Sequence, residues 1–337
     1  MGLLRNAADV YNRHGLTGLC RKSVKFFADN PQYFFYAITN AIFRLRYGKG
    51  TDVMSEDWDN LIILDACRYD AFKDRNTVDG DLQRRVSRGS SSLEFIEGNF
   101  TGRTLHDTVY VTANTYYTAA GDDTFHSVVT CFDHWDEDLQ TVPPSGVVEE
   151  SKQAFDRNPN KRLIMHFMQP HAPYIGSTGQ ELRDKIERDV DVRGMTIERG
   201  MDDWDEPGDE PDDDSRAIQA IQAPAMDGID VTDEEVREAY DENLDVVLAR
   251  LEELLSHLEG KTVITADHGE LIGDRVPPLF RKRYEHPIYL HTSELCLVPW
   301  LVIDDGERRT ITSDPPERYD SVDEADLEEK LRAFGYR

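Results

Sequence analysis

The chain has 337 residues and carries 66 Asp and Glu against 38 Lys and Arg, a formal net charge of -28. Nucleic acid is excluded as a partner for the bulk of such a chain, because that affinity comes largely from basic groups neutralising phosphates. An apolar fraction of 39% suffices for a core and excludes wholesale disorder, and the length allows one large domain or two ordinary ones.

The basic residues are 28 Arg and 10 Lys. Concentrated salt would screen the self-repulsion of this acid excess. A halophilic protein is therefore expected, with an acidic binding surface as the alternative. Cys20, Cys67, Cys131 and Cys296 are far apart and form no CxxC pair, which points away from a zinc ribbon or a disulfide scaffold. No basic, apolar and small-residue signal pattern opens the sequence, so a cytoplasmic location is expected.

Residues 1–50 hold eight basic and two acidic residues, an annex of opposite charge to the remaining 51–337. Within it, Asn30 to Phe43 is an uncharged run of 14 residues rich in aromatics, followed by Arg44 and Arg46. It falls short of the roughly 18 to 20 residues needed to span a bilayer. Such a basic amphipathic segment can lie on an anionic membrane face or dock on the protein's own acidic body; docking is favoured, since packed amphipathic helices are the commoner object.

From residue 60 onward, short apolar runs end in polar residues: Leu61 to Leu64 before Asp65, Val109 to Val111 before Thr112 and Asn114, Leu163 to Met165 before His166, and Val263 to Ile264 before Asp267. Continuous runs of this length predict strands covered on both faces. Thr232 to Leu258 predicts a helix, with Thr232 as N-cap, Glu235 as its capping-box partner and Gly260 just past the end. Repetition of helix and buried strand predicts an α/β fold with a central, mostly parallel sheet sandwiched by helices. Ligands gather at the carboxyl ends of such strands, where the polar residues fall. An insertion at about 176–230 includes Met201 to Asp214, with nine acids and two prolines. A solvated surface loop is the reading; it lacks the spacing of a calcium-binding EF-hand.

Asp65, Asp267 and His268 are metal-ligand types at strand ends, and Gly269 relieves crowding where two adjacent side chains converge on one cation. Taken singly, each has an ordinary role: Asp65 can cap the next helix, and Asp-His-Gly can be a polar turn.

Together, in this chain order, Asp65, the serine turn Ser87-Arg-Gly-Ser-Ser-Ser-Leu-Glu94 and Thr265-Ala-Asp-His-Gly-Glu270 resemble the alkaline phosphatase and sulfatase superfamily. The resemblance covers about residue 58 onward, apart from the acidic insertion. It implies that Asp65, Asp267 and His268 bind a divalent cation and that a hydroxyl of the serine turn is the nucleophile. The alignment places it on Ser91, and a slip of one residue selects Ser90 or Ser92. A cation can stabilise a serine alkoxide, and a helix start offers N–H groups to a tetrahedral anion. Met168-Gln-Pro-His-Ala-Pro-Tyr174 is similar to the family's His-x-Pro loop, and His286-Pro287 follows His268. By analogy His171 contacts substrate oxygens, and His286 assists the leaving group or helps hold a second metal. Arg68 and Ser90 are candidate substrate contacts, although Arg68 can equally form an ion pair. His166 is expected in the core or behind the ligands, and His291 is left undecided.

The formylglycine motif Cys-x-Pro-Ser-Arg of true sulfatases is absent: Cys67 directly follows Ala66, which stands where many sulfatases carry a second Asp. One cation, manganese or zinc rather than calcium, is the economical expectation. The function expected is a metal-dependent hydrolase or transferase acting on phosphate esters, with sulfate esters as a second class, through a covalent serine intermediate. Substrates linked to glycan or lipid, met at the inner membrane face through residues 1–50, form a second version. A non-catalytic binding protein of the same fold, recognising an anionic ligand or a partner, is the alternative.

Overall fold

The computed structural model describes residues 31–193, 231–305 and 307–316. Residues 1–30 with Cys20, the Met201 to Asp214 run and the segment Leu327 to Tyr336, which resembles the closing helix of sulfatase-type chains, lie outside the described residues. The centre is a seven-stranded sheet built from β1 (Asn60–Leu64), β2 (Asp81–Val86), β3 (Leu105–Thr112), β4 (Phe125–Thr130), β5 (Arg162–Phe167), β6 (Gly260–Ala266) and β9 (Leu297–Asp305). Their spatial order is β2-β9-β6-β1-β5-β3-β4. The run from β6 to β4 is parallel, while β9 is antiparallel to both β6 and β2.

The apolar runs form these strands because both faces are covered. Along β1, Leu61 and Ile63 enter one core with Trp58, Phe95, Phe100, Tyr110 and Trp300, whereas Ile62 and Leu64 enter the other with Phe72, Val147, Leu244 and Leu251. The first core is covered by α3 (Ser92–Asn99). The second is covered by α2 (Tyr69–Arg75), α4 (Pro144–Arg157) and α6 (Asp233–Leu255). The expected α/β layers are therefore present. In α6, Thr232 and Glu235 close the capping box as anticipated, and the helix ends at Leu255 with Ser256 as its cap. Gly260 belongs to the next strand, with a φ of 89° beside the buried Asp59.

The segment read as an acidic insertion begins as a packed helix, α5 (Ser177–Arg193), whose Leu182 and Ile186 bury against Val236, Ala239 and Tyr240 of α6. The N-terminal annex contributes α1 (Pro31–Tyr47). Its Tyr36 and Phe43 pack on Leu271, Val276, Leu290 and Leu295. It thus docks on the protein as favoured above, but on an apolar surface rather than an acidic one. A two-stranded ribbon, β7 (Leu271–Val276) and β8 (Arg281–Glu285), leads from β6 to His286. The short helix α7 (Ser293–Cys296) then turns the chain into β9.

Candidate metal centre and nucleophile

Three parallel strands deliver the site. β1 and β6 are in register from Asn60 with Thr262 to Leu64 with Ala266, so Asp65 and Asp267 emerge side by side. β5 lies on the other flank of β1 and pairs Ile63 with His166. Each carboxylate divides its oxygens between scaffold and site. Asp267 Oδ1 accepts the backbone N–H groups of Ala66 (3.1 Å) and His268 (2.8 Å). Asp65 Oδ2 accepts the side-chain amide of Asn114 at 2.8 Å. Ala66, between the strand end and α2, takes a left-handed φ of 58°, a conformation that costs an Ala about 1 to 2 kcal/mol. It is held there by Asp267 and by the Tyr240 hydroxyl, which donates to the Ala66 carbonyl and accepts the N–H of Arg68.

His268 turns its Nδ1 to the Gly269 carbonyl at 2.8 Å. Its Nε2 lies 3.3 Å from Asp65 Oδ1 and 3.5 Å from Asp267 Oδ2. Burial alone would favour the neutral ring; the two carboxylates outweigh it and push the pKa up to about 10. A proton on His268, which a bound cation would displace, supplies positive charge between the two buried carboxylates. Asp267, buried yet facing His268 and His166, is held below the usual carboxylate range.

The hydroxyl that enters this cluster is that of Ser92. It donates to Asp267 Oδ2 at 2.7 Å and lies 3.3 Å from His268 Nε2 and 3.4 Å from Asp65 Oδ2. Of the three serines the alignment leaves open, the structure brings Ser92 rather than Ser91 to the candidate ligands. Ser91 is the N-cap of α3, its oxygen accepting the N–H of Glu94, whereas Ser92 is the first helical residue and projects toward the strand ends. Ser90 is also turned away from the ligands: its hydroxyl donates to Glu94 at 2.6 Å and lies 3.1 Å from the Pro287 carbonyl. Of the two roles open to Arg68, substrate contact or ion pair, the structure shows the ion pair. Its guanidinium is buried and committed to both oxygens of Asp70, the Glu270 carbonyl and Asp274, so it fixes the Glu270 backbone instead of facing an anion.

Two buried polar atoms at the centre, Asp65 Oδ1 and His166 Nε2, are met only by long ion-pair contacts, to His268 Nε2 at 3.3 Å and to Asp267 Oδ2 at 3.5 Å. His166 places its Nδ1 2.8 Å from the Tyr110 hydroxyl. Donation of Nδ1–H to that oxygen puts the ring's lone pair on Nε2, which lies 3.5 Å from Asp267 Oδ2. The imidazole of His166 and the two carboxylates, with donor atoms all within 4.8 Å of one another, fit a divalent cation. The mixed nitrogen and oxygen set suits zinc or manganese better than calcium, which prefers oxygen alone. His166 therefore joins Asp65, Asp267 and His268 as a candidate ligand. The sequence reading had left it in the core or behind the ligands.

A second group stands beside the first: the donor atoms of His171, Glu270 and His286 also lie within 4.8 Å of one another. His286 Nδ1 is 3.2 Å from Glu270 Oε2, and its ring centroid is 4.5 Å from that of His268. Burial, the largest influence, lowers the pKa of His171 and keeps it neutral; its Nδ1 faces the Ala172 carbonyl. These features suit a metal ligand better than a proton donor to substrate oxygen. Where one cation was the economical expectation, the described residues contain two adjacent donor groups. Glu270 lay within the quoted Asp-His-Gly-Glu run but had been given no role. His291 faces Glu94 at 3.3 Å, and Glu94 in turn accepts from Ser90 and the N–H of Tyr289, joining the start of α3 to the loop after His286.

No family model matches the chain, and no curated protein does. Solved structures similar to it include the soluble domain of lipooligosaccharide phosphoethanolamine transferase A from Neisseria meningitidis, at 11% identity and a TM-score of 0.45, covering 72% of this chain and 75% of that one. The C-terminal periplasmic domain of EcEptC from Escherichia coli, in complex with zinc, matches at 14% identity and a TM-score of 0.46, covering 74% of each chain. A protein in the alkaline phosphatase superfamily from Vibrio parahaemolyticus matches at 12% identity and a TM-score of 0.38, covering 78% of this chain and 62% of that one. The likeness is one of fold. The roles of individual residues follow from the geometry above.

Proposed function

We infer that the chain is a metal-dependent phosphoesterase or phosphotransferase of the alkaline phosphatase and sulfatase type, with sulfate esters as its second substrate class. The observation that carries this reading is the convergence of one serine hydroxyl, two carboxylates and an imidazole at the start of α3, beside the group formed by Asp65, His166 and Asp267. Asp65, Asp267, His268 and His166 would hold a cation, whose Lewis acidity would lower the proton affinity of the serine oxygen. Ser92 attacks phosphorus, giving a phosphoserine and expelling the ester oxygen; water or an acceptor hydroxyl then takes the phosphoryl group and restores the serine. Asp267 Oδ2, already hydrogen-bonded to the Ser92 hydroxyl, orients it for attack. The positive end of the α3 dipole, at Ser92, would favour the transferring anion. His171, Glu270 and His286 flank the same space and would hold a second cation.

The test is turnover of aryl phosphate, phosphodiester and sulfate esters with added zinc or manganese. Ser92→Ala should lower turnover by roughly a thousandfold or more, the scale of losing a covalent nucleophile. Ser91→Ala should lose only the helix cap, about 1 kcal/mol, and keep turnover within severalfold. The reverse pattern refutes the register, and inactivity with every metal favours the non-catalytic binder. An added acceptor alcohol that is recovered phosphorylated separates transfer from hydrolysis.

A further inference from the structure

The face of α1 opposite its packed side presents Phe34, Ile38, Ile42 and Leu45 to solvent. Ile42 is 56% and Leu45 91% exposed, in a helix whose other face is fully occupied by Tyr36, Thr39 and Phe43. The turn of the β7–β8 ribbon adds Leu279 and Phe280, the latter 60% exposed, and the loop beyond it adds Ile288. These elements form one surface. Thr39 donates to the Pro277 carbonyl (2.9 Å) and Asn40 to the Tyr289 carbonyl (2.8 Å), and Phe35 lines a shallow cavity with Pro277, Leu279 and Leu290.

Its charge is opposite to that of the rest of the protein. Residues 31–49 and 275–284 contain Arg44, Arg46, Lys49, Arg275, Arg281, Lys282 and Arg283, of which Lys282 is paired with Asp233, and Asp274 and Glu285 flank the second stretch, in a chain with 66 acids and 38 bases. Apolar groups at the centre with Arg and Lys around them complement an anionic lipid headgroup layer over an acyl interior. The acidic body is repelled by that layer, so the same charge separation orients the molecule with this face down. The 17-residue α1 and every other described helix are too short or too polar to cross a membrane.

We propose that this surface of α1 and the β7–β8 turn rests on an anionic bilayer. His286 lies at the end of β8, two positions before the exposed Ile288, so the metal centre sits at the edge of the docked face. Resting on the function proposed above, the substrate is then a lipid-linked phosphate ester whose headgroup reaches the site while its chains stay in the bilayer.

The experiment is flotation of the full chain with vesicles of phosphatidylglycerol and phosphatidylcholine, against phosphatidylcholine alone. The full chain should float with the anionic vesicles. A variant carrying Ile42→Asp, Leu45→Asp and Phe280→Asp should keep its melting temperature and its turnover of a soluble aryl phosphate while losing at least tenfold in vesicle binding. Arg44→Glu with Arg46→Glu should weaken binding to the anionic vesicles by roughly fivefold or more per basic group lost and leave binding to phosphatidylcholine unchanged. Failure of the full chain to float overturns the proposal, as does flotation of the triple variant equal to that of the wild type. A wild-type dimer that the triple variant dissociates, with no vesicle binding, assigns the face to a second copy and also overturns it. Flotation without aryl phosphate turnover would refute the catalytic reading and leave the docking face standing.

Discussion

Replacement of His166 separates a ligand from a core histidine. In His166→Leu the buried hydrogen bond to Tyr110 is lost, worth about 1 kcal/mol. A buried nitrogen met only by a 3.5 Å contact to Asp267 is lost with it, which offsets part of that cost. The ion-free variant should therefore stay within about 1 kcal/mol of the wild type. Cation binding tells the two roles apart. At a free ion concentration a hundredfold above its dissociation constant, the wild type gains about 2.7 kcal/mol. If losing the ligand weakens affinity a hundredfold, the gain at the same concentration falls to about 0.4 kcal/mol. Tyr110→Phe, which removes only the group orienting the ring, should weaken affinity by roughly 10- to 100-fold. Denaturant unfolding of the three proteins, in chelator and at buffered free zinc, measures these increments, with calorimetric titration as the independent reading. The reasoning fails if His166→Leu is destabilised by about 3 kcal/mol or more in chelator and still shows the full wild-type increment on adding zinc. That pattern belongs to a packed core residue.

Gly269→Ala places a methyl group 2.0 Å from the Glu294 carbonyl oxygen and pushes apart the bond from the Gly269 N–H to the Leu295 carbonyl. About 1 to 3 kcal/mol of stability should go, together with metal affinity, since His268 and Glu270 flank the site of strain; a wild-type melting temperature and affinity would contradict this. Asp52 is a test of acid stability away from the centre. Burial opposes its ionisation, but Arg103, Ser55 and Arg88 prevail and hold its pKa at about 2 against an ordinary 3.8. Its contribution is therefore present above pH 3.8 and lost as pH falls toward 2. Asp52→Asn should flatten the urea-midpoint curve in that window, and a curve parallel to the wild type would refute it.

The parallel sheet was legible because strands buried on both faces leave uninterrupted apolar runs, and α6 because Thr232 and Glu235 mark its first turn. Asp65 and Asp267 were legible as candidate ligands because they end such runs. Three things were hidden. Ser91 is the extended N-cap and Ser92 the first helical residue, and only the exact start of α3 decides which one faces the strands. The parity of β5 sets His166 on the same side as Tyr110, and that neighbour comes from a different strand. Arg68 looked available because two of its partners, Glu270 and Asp274, follow it by some 200 positions and reach it only through the β7–β8 ribbon.

The donor atoms at the centre are gathered from Asp65 through His286, and the segment after them must also dock, since Gly269 leans on Leu295. Contacts this distant in sequence form late, after the entropy of closing long loops has been overcome. A nascent chain released only as far as Asp65, or even His166, offers an ion no chelate. Under the proposed metal binding, loading would follow folding in time, and a captured ion would report that the sheet has been assembled.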